Sequence, residues 1–394
     1  MTQPVLARPV PWKAILRPGV YDRFMIGHYL WFVLVAWLAV TAAITAINVS
    51  PEIARVWAEQ SERGVLAGLA RSAAYVGLRI LDNGTQAFPI TFVLGIIWAE
   101  AAHALSGRLT MVRTAGMPFA RRIRGLVFIA LASMPVLFVL DNAVRPFAFM
   151  TLSVEGLGDY GWSYARKRQP TAEWLAFDGV TMQGVLEPGP QPRFTDATLY
   201  HFGPGGAIER IIHAAVIEPS ATAGDSWIMR DADIWTFPAQ AGQSSGVPAD
   251  NVHESVDAAP ADIEISQLWL KYRGIQPKYV PLSDLVALSS DTALPDDHPR
   301  YGEWLVIRTL QCLSPGLIAI CLGALFALFL DLGGLAVATV TALFAGYLAY
   351  FMVRLSAVLA ENHVVAPLLA SLAMPFLLSC SIFLLVRVIA DRDR

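Results

Sequence analysis

Long apolar runs flank one polar, strand-like stretch of the chain. A helix needs about 20 consecutive apolar residues to cross the hydrocarbon core of a bilayer. Three such runs precede residue 145 and three follow residue 300, so the pattern predicts six transmembrane helices. The predicted spans are 29–47, 88–105, 126–144, 305–330, 335–359 and 364–389.

The segment between the third and fourth runs has a different periodicity. Alternating stretches such as ATLYHF and AIERIIHAAVIE are separated by PGP and GPGG, which are turn signals. Short strands with Gly/Pro turns predict a sandwich or barrel-like β domain. Within it, residues 241–262 are interpreted as a long loop or edge connection. Residues 281–290 predict a short helix with Ser283 as its N-cap.

Composition agrees with a membrane protein. The chain is 55% hydrophobic and 15% charged, whereas soluble domains average about 45–50% and about 25%. The net charge of −3 gives no reason to expect nucleic acid. The three cysteines, Cys312, Cys321 and Cys380, lie within apolar runs and are interpreted as small buried hydrophobes. The N-terminal segment does not fit a cleavable signal peptide.

Basic residues in short loops predict the orientation, because such loops stay in the cytoplasm. Three basic groups share one side of a six-span chain, which places the β domain on the other side. These groups are Arg8, Lys13, Arg17 and Arg23; Arg108 to Arg124; and Arg387, Arg392 and Arg394. The segment between the first two spans mixes arginines with acids. It is interpreted as an amphipathic surface helix or a longer second helix; its arginines are Arg55, Arg63, Arg71 and Arg79.

The segment LTMVRTAGMPFARRIRGLVF follows the second span. It combines arginines with residues that end and begin helices. Gly116 is expected to end a short helix, and Pro118 to begin the next one. Anchoring at the cytoplasmic surface explains the arginines. It does not require the Gly-Met-Pro sequence, which favours a shaped helix that receives motion from a soluble motor.

Motifs of self-sufficient enzymes are missing from the sequence. There is no GxxxxGK[ST] loop for ATP hydrolysis and no GxSxG nucleophile elbow. His201 and His213 leave a metal or acid–base pair open, but no ligand set surrounds them, which favours ordinary strand histidines. No cofactor, metal site or catalytic residue is predicted.

Charged residues in the spans are candidates for function, because charge in hydrocarbon is costly. Arg308 and Arg354 lie deepest and are interpreted either as contacts for an anionic head group or as structural partners of acids such as Glu361. Glu100, His103 and Asp331 lie near helix ends, where their polar groups can reach the interface.

Several segments resemble one family, the LptF/LptG permeases of the lipopolysaccharide-export ABC transporter. LTMVRTAGMP is similar to the family's segment after helix two. The strands RFTDATLYHFGPGGAIERIIHAAVIE and DSWIMRDADIW resemble its β-jellyroll. The family's element before helix four, the start of its helix four and its helix six are similar to VPLSDLVALSS, VIRTLQCLSPGLIAI and VVAPLLASLAMPFL, respectively. DRFMIGHYLW resembles LptG slightly more than LptF.

The resemblance implies an α-helical membrane protein with six transmembrane helices (3+3) and an inserted periplasmic β-jellyroll. Its parts would be residues 1–145, 146–300 and 301–394. The chain would be a multi-pass inner-membrane subunit that extracts lipopolysaccharide from the outer leaflet and passes it through the β domain. Its partners would be a second LptF/LptG-type permease, a cytoplasmic ABC ATPase dimer and a periplasmic bridge protein of the LptC/LptA type.

The resemblance also implies site residues. The segment after helix two would be the coupling helix to the ATPase, with Arg108, Leu109, Arg113, Gly116, Met117, Arg121 and Arg122. Arg55, Arg308 and Arg354 are head-group candidates. Alternating strand residues would either line a lipid path or form the core of the β domain; they are Val180, Met182, Val185, Leu199, Ile211, Val216, Ile217, Ile228 and Ile234.

Three positions depart from the family pattern. Arg108 stands where an acidic residue is common, so the docking charges could be swapped or Glu100 could substitute. Asp331 lies in a loop that is usually basic. Helix one has no lysine near its outer end, where Arg55 is the nearest cation. A different large outer-membrane lipid is therefore an alternative cargo. A membrane-anchored periplasmic scaffold without transport is an alternative function. An anchored periplasmic enzyme is disfavoured because no catalytic constellation is present.

Overall fold

A computed structural model describes most of the chain. The described residues are 18–62, 64–167, 169–177, 179–187, 191–203, 206–220, 226–237, 252–291, 294, 300–362 and 364–392. The chain forms two compact units. Residues 1–148 and 306–394 make the helical unit, and residues 149–305 make the β unit.

The helices follow the predicted apolar runs but extend beyond them. In chain order they are α1 (Val20–Ser61), α2 (Val65–Leu105), α3 (Arg108–Thr114), α4 (Phe119–Arg122), α5 (Arg124–Val139), a π-helical turn (Leu140–Val144), α6 (Arg145–Val154), α7 (Gly158–Lys167), α8 (Gln267–Tyr272), a 3₁₀ turn (Pro277–Tyr279), α9 (Leu282–Ser290), α10 (Tyr301–Gln311), α11 (Ser314–Glu361) and α12 (Pro367–Arg392).

Five helices of the described chain are long and apolar enough to cross a membrane. They are Val20–Ser61, Val65–Leu105, Arg124–Val154, Tyr301–Glu361 and Pro367–Arg392. The fourth of these contains a reversal at Gly334, whose φ of 75° and ψ of −174° are not helical. A Cβ added to Gly346 would lie 3.0 Å from Leu322 Cδ1. In a straight helix these residues would be about 36 Å apart, so the chain folds back at Gly334.

The two arms of this reversal form the α11 hairpin, residues 314–361. Small residues on the second arm, Ala338 and Ala342, share a buried apolar cluster with Leu322 and Phe326 of the first arm. The break therefore falls between the runs that the sequence predicts as the fourth and fifth spans. Helix α11 thus contains two membrane-length arms.

Helices α1 and α2 are both longer than their apolar runs. Only residues 62–64 separate them, and Gly64 has a φ of 118°. A separate surface helix between the first two spans is therefore wrong, and the longer second helix is correct. Arg71 and Arg79 belong to α2, Arg55 belongs to α1, and Arg63 lies outside the described residues.

Glycine allows the long helices to pack closely. A Cβ added to Gly95 in α2 would lie 2.5 Å from the Cα of Val33 in α1. At Gly316 in α11, an added Cβ would lie 2.6 Å from the carbonyl oxygen of Ala130 in α5. Small residues at such positions let helix backbones approach and gain van der Waals contact, which is how helices associate within a bilayer.

The β unit contains one antiparallel sheet of six described strands in sequential order. They are β1 (Thr171–Phe177), β2 (Val180–Glu187), β3 (Arg193–Phe202), β4 (Ile208–Pro219), β5 (Trp227–Thr236) and β6 (Val252–Ala261). This order confirms a β domain built from consecutive hairpins. The jellyroll stays a prediction.

Strand β6 corrects the interpretation of residues 241–262 as a loop or connection. Residues 252–261 pair with β5 from Thr236↔Val252 to Trp227↔Ala261, and residues 241–251 lie outside the described residues. The sequence VHESVDAAPA is polar and Ala-rich, so pairing with β5 and not β-propensity determines its conformation. Pro260 fits because β6 is an edge strand.

One face of the sheet packs on the short helices of the same unit. Phe194, Leu199 and Ile212 share a buried cluster with Trp269 and Tyr272 of α8, and with Leu285 and Leu288 of α9. Trp227 Nε1 donates to the carbonyl oxygen of Ile265 at 2.9 Å, which satisfies the only polar atom of this buried side chain. This face of the sheet is therefore apolar and covered by helices of the same unit.

Helix α9 begins at Leu282 with Pro281 as its N-cap, so Ser283 is not the N-cap. The Leu285 N–H donates to the Pro281 carbonyl, which places Ser283 inside the first turn. Its hydroxyl donates to Asp284 instead. Burial acts to raise the pKa of Asp284, but hydrogen bonds from Tyr272, Lys271 and Ser283 outweigh it and lower that pKa.

Candidate functional site

The basic segment after α2 forms two short helices with a sharp stop between them. Gly116, with a φ of 73°, donates its N–H to the Arg113 carbonyl at 2.9 Å. Met117 N–H donates to the Val112 carbonyl at 3.3 Å. This pair of bonds is the Schellman motif, which favours glycine at the left-handed position. Pro118 is then the N-cap of α4. The end of α3 at Gly116 and the start of α4 at Pro118 are therefore as predicted.

Three arginines of this segment point into the helical unit. Arg113 forms an ion pair with Asp331 of the α11 hairpin. Arg122 lines a small cleft that also contains Glu100. Arg124 Nε lies 3.7 Å from Asp22 Oδ2 of α1. Each of these three arginines therefore lies near an acidic residue of the helical unit.

Arg108 and Arg121 are exposed. With Met111 of α3 and Leu105, the last residue of α2, they form what we call the outward face of α3 and α4. Leu105 is 74% exposed and Met111 is 68% exposed. The guanidinium of Arg108 lies 5.1 Å from the Phe24 ring centroid, which restrains its direction. No acidic residue occurs from 101 to 130. This outward face is therefore cationic and apolar.

The cleft behind this face has a volume of about 30 Å³, enough for about one or two waters. Tyr29 Oη donates to Glu100 Oε1, and Tyr21 Oη lies 3.3 Å from His103 Nε2. Leu109 and Arg113 of α3 close one side of the cleft. Because Tyr29 donates to it inside the cleft, Glu100 does not lie on the outward face.

A second group of charges, the buried charge cluster, lies deeper between α2, the π-helical turn and α10. Asp82 is fully buried, with Arg79 Nη1 at 3.6 Å and Arg145 Nε at 3.5 Å from its carboxylate. Arg145 Nη1 is 3.4 Å from Asp141 Oδ1. Arg308 Nη2 donates to the carbonyl oxygen of Asp141 at 2.7 Å. Three cations and two carboxylates leave a formal charge of +1.

Sequence reasoning identified Arg308 in this cluster but missed Asp82, Asp141 and Arg145. A signal was available, because the dipeptide Asp-Asn occurs twice next to apolar runs, at 82–83 and 141–142. Acids at such positions are rare unless they are paired. The cluster also adjoins the π-helical turn, a feature that often accompanies functional sites in helices.

The three head-group candidates occupy different environments. Arg308 is 3% exposed and engaged with Asp141, which fits a structural role better than direct lipid contact. Arg354 is exposed and donates to Tyr350 Oη at 3.2 Å, so its contact is not Glu361. Arg55 is exposed and forms an ion pair with Glu59 at 2.9 Å. Arg55 and Arg354 are accessible to a ligand.

The predicted path residues divide between the two faces of the sheet. Five belong to the core face or its margin and are packed by protein: Val180, Met182, Leu199, Ile217 and Ile234. The other four are half-buried on the opposite face: Val185, Ile211, Val216 and Ile228. The predicted lipid-path residues therefore lie on two surfaces of the sheet. Those on the core face form the core of the β unit.

The two strand histidines have separate surroundings. Thr198 Oγ1 lies 3.2 Å from His213 Nδ1, and His201 pairs across the sheet with Arg210. Burial, and next the charge of Arg210, lower the pKa of His201. No group of three His, Cys, Asp or Glu residues suited to a metal ion occurs among the described residues.

A family model described as lipopolysaccharide export system permease LptF/LptG matches residues 167–387, which is more than half of the chain. The chain belongs to the LptF/LptG family. The match includes strands β1 to β6, α10, α11 and most of α12. It does not reach α3 and α4, so the likeness of LTMVRTAGMP to the LptF/LptG coupling segment rests on the sequence alone. A comparison with individually curated proteins gives no match.

LptF/LptG membership shows a lipopolysaccharide-export permease, which is a transport subunit and not a catalytic enzyme by itself. The long apolar helices agree with a multi-pass membrane protein.

Proposed function

We propose that the chain extracts lipopolysaccharide from the outer leaflet of the bacterial inner membrane and passes it through its β unit toward the outer membrane. The helices would cross the membrane six times, because the reversal at Gly334 divides α11 into two membrane-length arms. The β unit, inserted between two helical halves, would be periplasmic and of the jellyroll type. Family membership supports this assignment.

Extraction requires an energy source outside this chain. Each CH₂ group that leaves an apolar environment costs about 0.8 kcal/mol, so a lipid with several acyl chains does not leave the bilayer unaided. The sequence contains no Walker A loop. A cytoplasmic ABC ATPase dimer would supply the energy, with a second LptF/LptG-type permease completing the membrane portion and an LptC/LptA-type protein receiving the lipid.

The outward face of α3 and α4 carries the proposal of ATPase coupling. Arg108, Arg121, Leu105 and Met111 are exposed there, while Arg113 and Arg122 are directed into the unit. A groove with an apolar floor and acidic rim would complement this face. Arg108 would then meet an acid on the ATPase, which is a reversal of the charge order expected in the family.

The lipid would contact the half-buried face of the sheet and not the core face that α8 and α9 cover. Ile211, Val216 and Ile228 lie on this half-buried face, where Trp174 and Tyr200 are also stacked at 6.2 Å between ring centroids. Its mixture of apolar and polar residues suits an amphipathic molecule. Arg55 and Arg354 would contact anionic head groups at the membrane, because both guanidinium groups are accessible.

The test is gentle purification from native membranes, followed by identification of bound proteins and lipid. We expect an ABC ATPase and a second permease, and we expect the double variant Arg108→Glu/Arg121→Glu to release the ATPase. Arg193→Glu, which changes an exposed arginine of β3, is the matched control and should retain it.

Recovery of the wild-type chain without an ATPase would refute transport and favour an anchored periplasmic scaffold. Recovery of the ATPase with a different lipid would retain the mechanism and change the cargo. The absence of a lysine at the outer end of helix one makes the lipid analysis necessary.

A further inference from the structure

Asp331 is the only charged residue between Arg308 and Arg354. It lies three positions before Gly334, at the turn of the α11 hairpin. Its carboxylate forms an ion pair with Arg113 of α3, 218 positions earlier in the chain. A single acid in a long apolar region, placed at the turn and paired with the short helix, indicates a specific connection between α3 and the hairpin.

Apolar contacts reinforce this connection. Phe119, the first residue of α4, is 6% exposed and packs with Ala324 of the first hairpin arm and Ile389 of α12. Leu109 and Arg113 share the walls of the small cleft with Gly323 and Phe326. The two short helices therefore rest on the first arm of the hairpin as well as on the helices to which the chain connects them.

We propose that the Arg113–Asp331 pair fastens the outward-facing short helix to the α11 hairpin, so that a displacement of α3 moves the hairpin. This inference rests on the proposed coupling to an ATPase. Arg113 and Asp331 are positioning residues, because they contact each other and act through the placement of α3 against the hairpin. Arg108 and Arg121 recognise the partner, whereas Arg113 transmits its movement.

The construction of the hairpin suits such movement. The turn is made at Gly334, whose left-handed φ of 75° is accessible to glycine. Small residues on the second arm, Ala338, Ala342 and Gly346, face the first arm. The side chains of Arg113 and Asp331 are 30% and 44% exposed, and pairs this exposed add little to stability. The pair thus sets position more than it stabilises the fold.

The experiment uses the complete transporter in lipid nanodiscs with lipopolysaccharide as cargo. Arg113→Asp, Asp331→Arg and the double charge exchange are compared for bound ATPase, ATP hydrolysis and lipid release. We expect each single variant to retain the ATPase and its hydrolysis but to release lipid about tenfold more slowly, within the range of coupling between contacting residues. The double exchange should restore release to within about twofold, because the attraction is re-formed.

Asp331→Asn removes the charge with little change in shape and controls for misfolding of the reversed variants. Arg300→Glu removes another partly exposed ion pair, Arg300–Glu303, and should not change release. Unchanged release in both single variants, loss of the ATPase from them, or failure of the double exchange to restore release would each overturn the proposal. A wild-type complex without ATPase would refute the proposed function itself, which separates the two failures.

Discussion

Two Arg–Asp arrangements lie in different parts of the helical unit and differ in how far they are buried. Asp82 lies about 27 Å along α2 from Glu100, the acid of the cleft beside the basic segment, at 1.5 Å per residue. The buried charge cluster is closed to solvent at Asp82, whose carboxylate is fully buried and lies between two arginines. The Arg113–Asp331 pair is open, with both side chains partly exposed. The same two residue types therefore serve different purposes.

Burial determines that difference. Removing one partner from a buried pair leaves an uncompensated charge in a medium of low dielectric constant. At an exposed pair, water replaces the lost partner. The buried charge cluster should consequently control the stability of the helical unit, whereas the exposed pair should control the position of α3.

Asp82→Ala is expected to have the largest effect on stability. It leaves Arg79 and Arg145 without their shared carboxylate, which should cost about 3–5 kcal/mol. Thermal unfolding of the purified chain in detergent, followed by circular dichroism, measures the loss. Asp82→Asn retains the shape and an acceptor, so it separates charge from packing. A change in melting temperature no larger than that of Asp331→Ala would contradict the distinction between buried and exposed pairs.

Arg308→Ala should have an intermediate effect. It removes the donor to the Asp141 carbonyl at the π-helical turn, and hydrogen bonds from charged groups contribute about 1.5–3 kcal/mol. Hydrogen exchange of residues 138–145 should show faster opening of this turn. Arg308→Lys preserves the charge but not the planar donor, and should recover only part of the protection. Normal protection in Arg308→Ala would exclude a structural role.

Asp331→Ala should change stability least, by about 0–1 kcal/mol, because the pair with Arg113 is exposed. The same melting assay used for Asp82→Ala measures this difference. A large loss of stability would show that Asp331 supports the fold and would weaken its interpretation as a positioning residue.

Local signals in the sequence predict local structure well. Gly116 and Pro118 indicate where α3 ends and α4 begins, since the left-handed position and the missing N–H are properties of single residues. The apolar runs indicate the long helices, and the DLGG sequence lies at the reversal of α11. The alternation in β3 and β4 predicts strands for the same reason.

Partners distant in sequence were not predicted. Arg308 and Asp141 are 167 positions apart, and no periodicity links them. Strand β6 was missed because its conformation depends on β5 and not on its own residues. The face assignment of Met182 and Ile211 also required the sheet, since alternation identifies two faces without indicating which one the chain itself covers.

The tight turn at Gly334 has a consequence for biogenesis. The two arms of α11 are joined without a hydrophilic loop, so the insertion machinery would receive them as a single helical hairpin. Lysine and arginine in short loops normally tell that machinery which end remains inside. Asp331 is the only charged residue in the sequence of this turn. The orientation of both arms would therefore be set by helices inserted before them or by the basic end of α12.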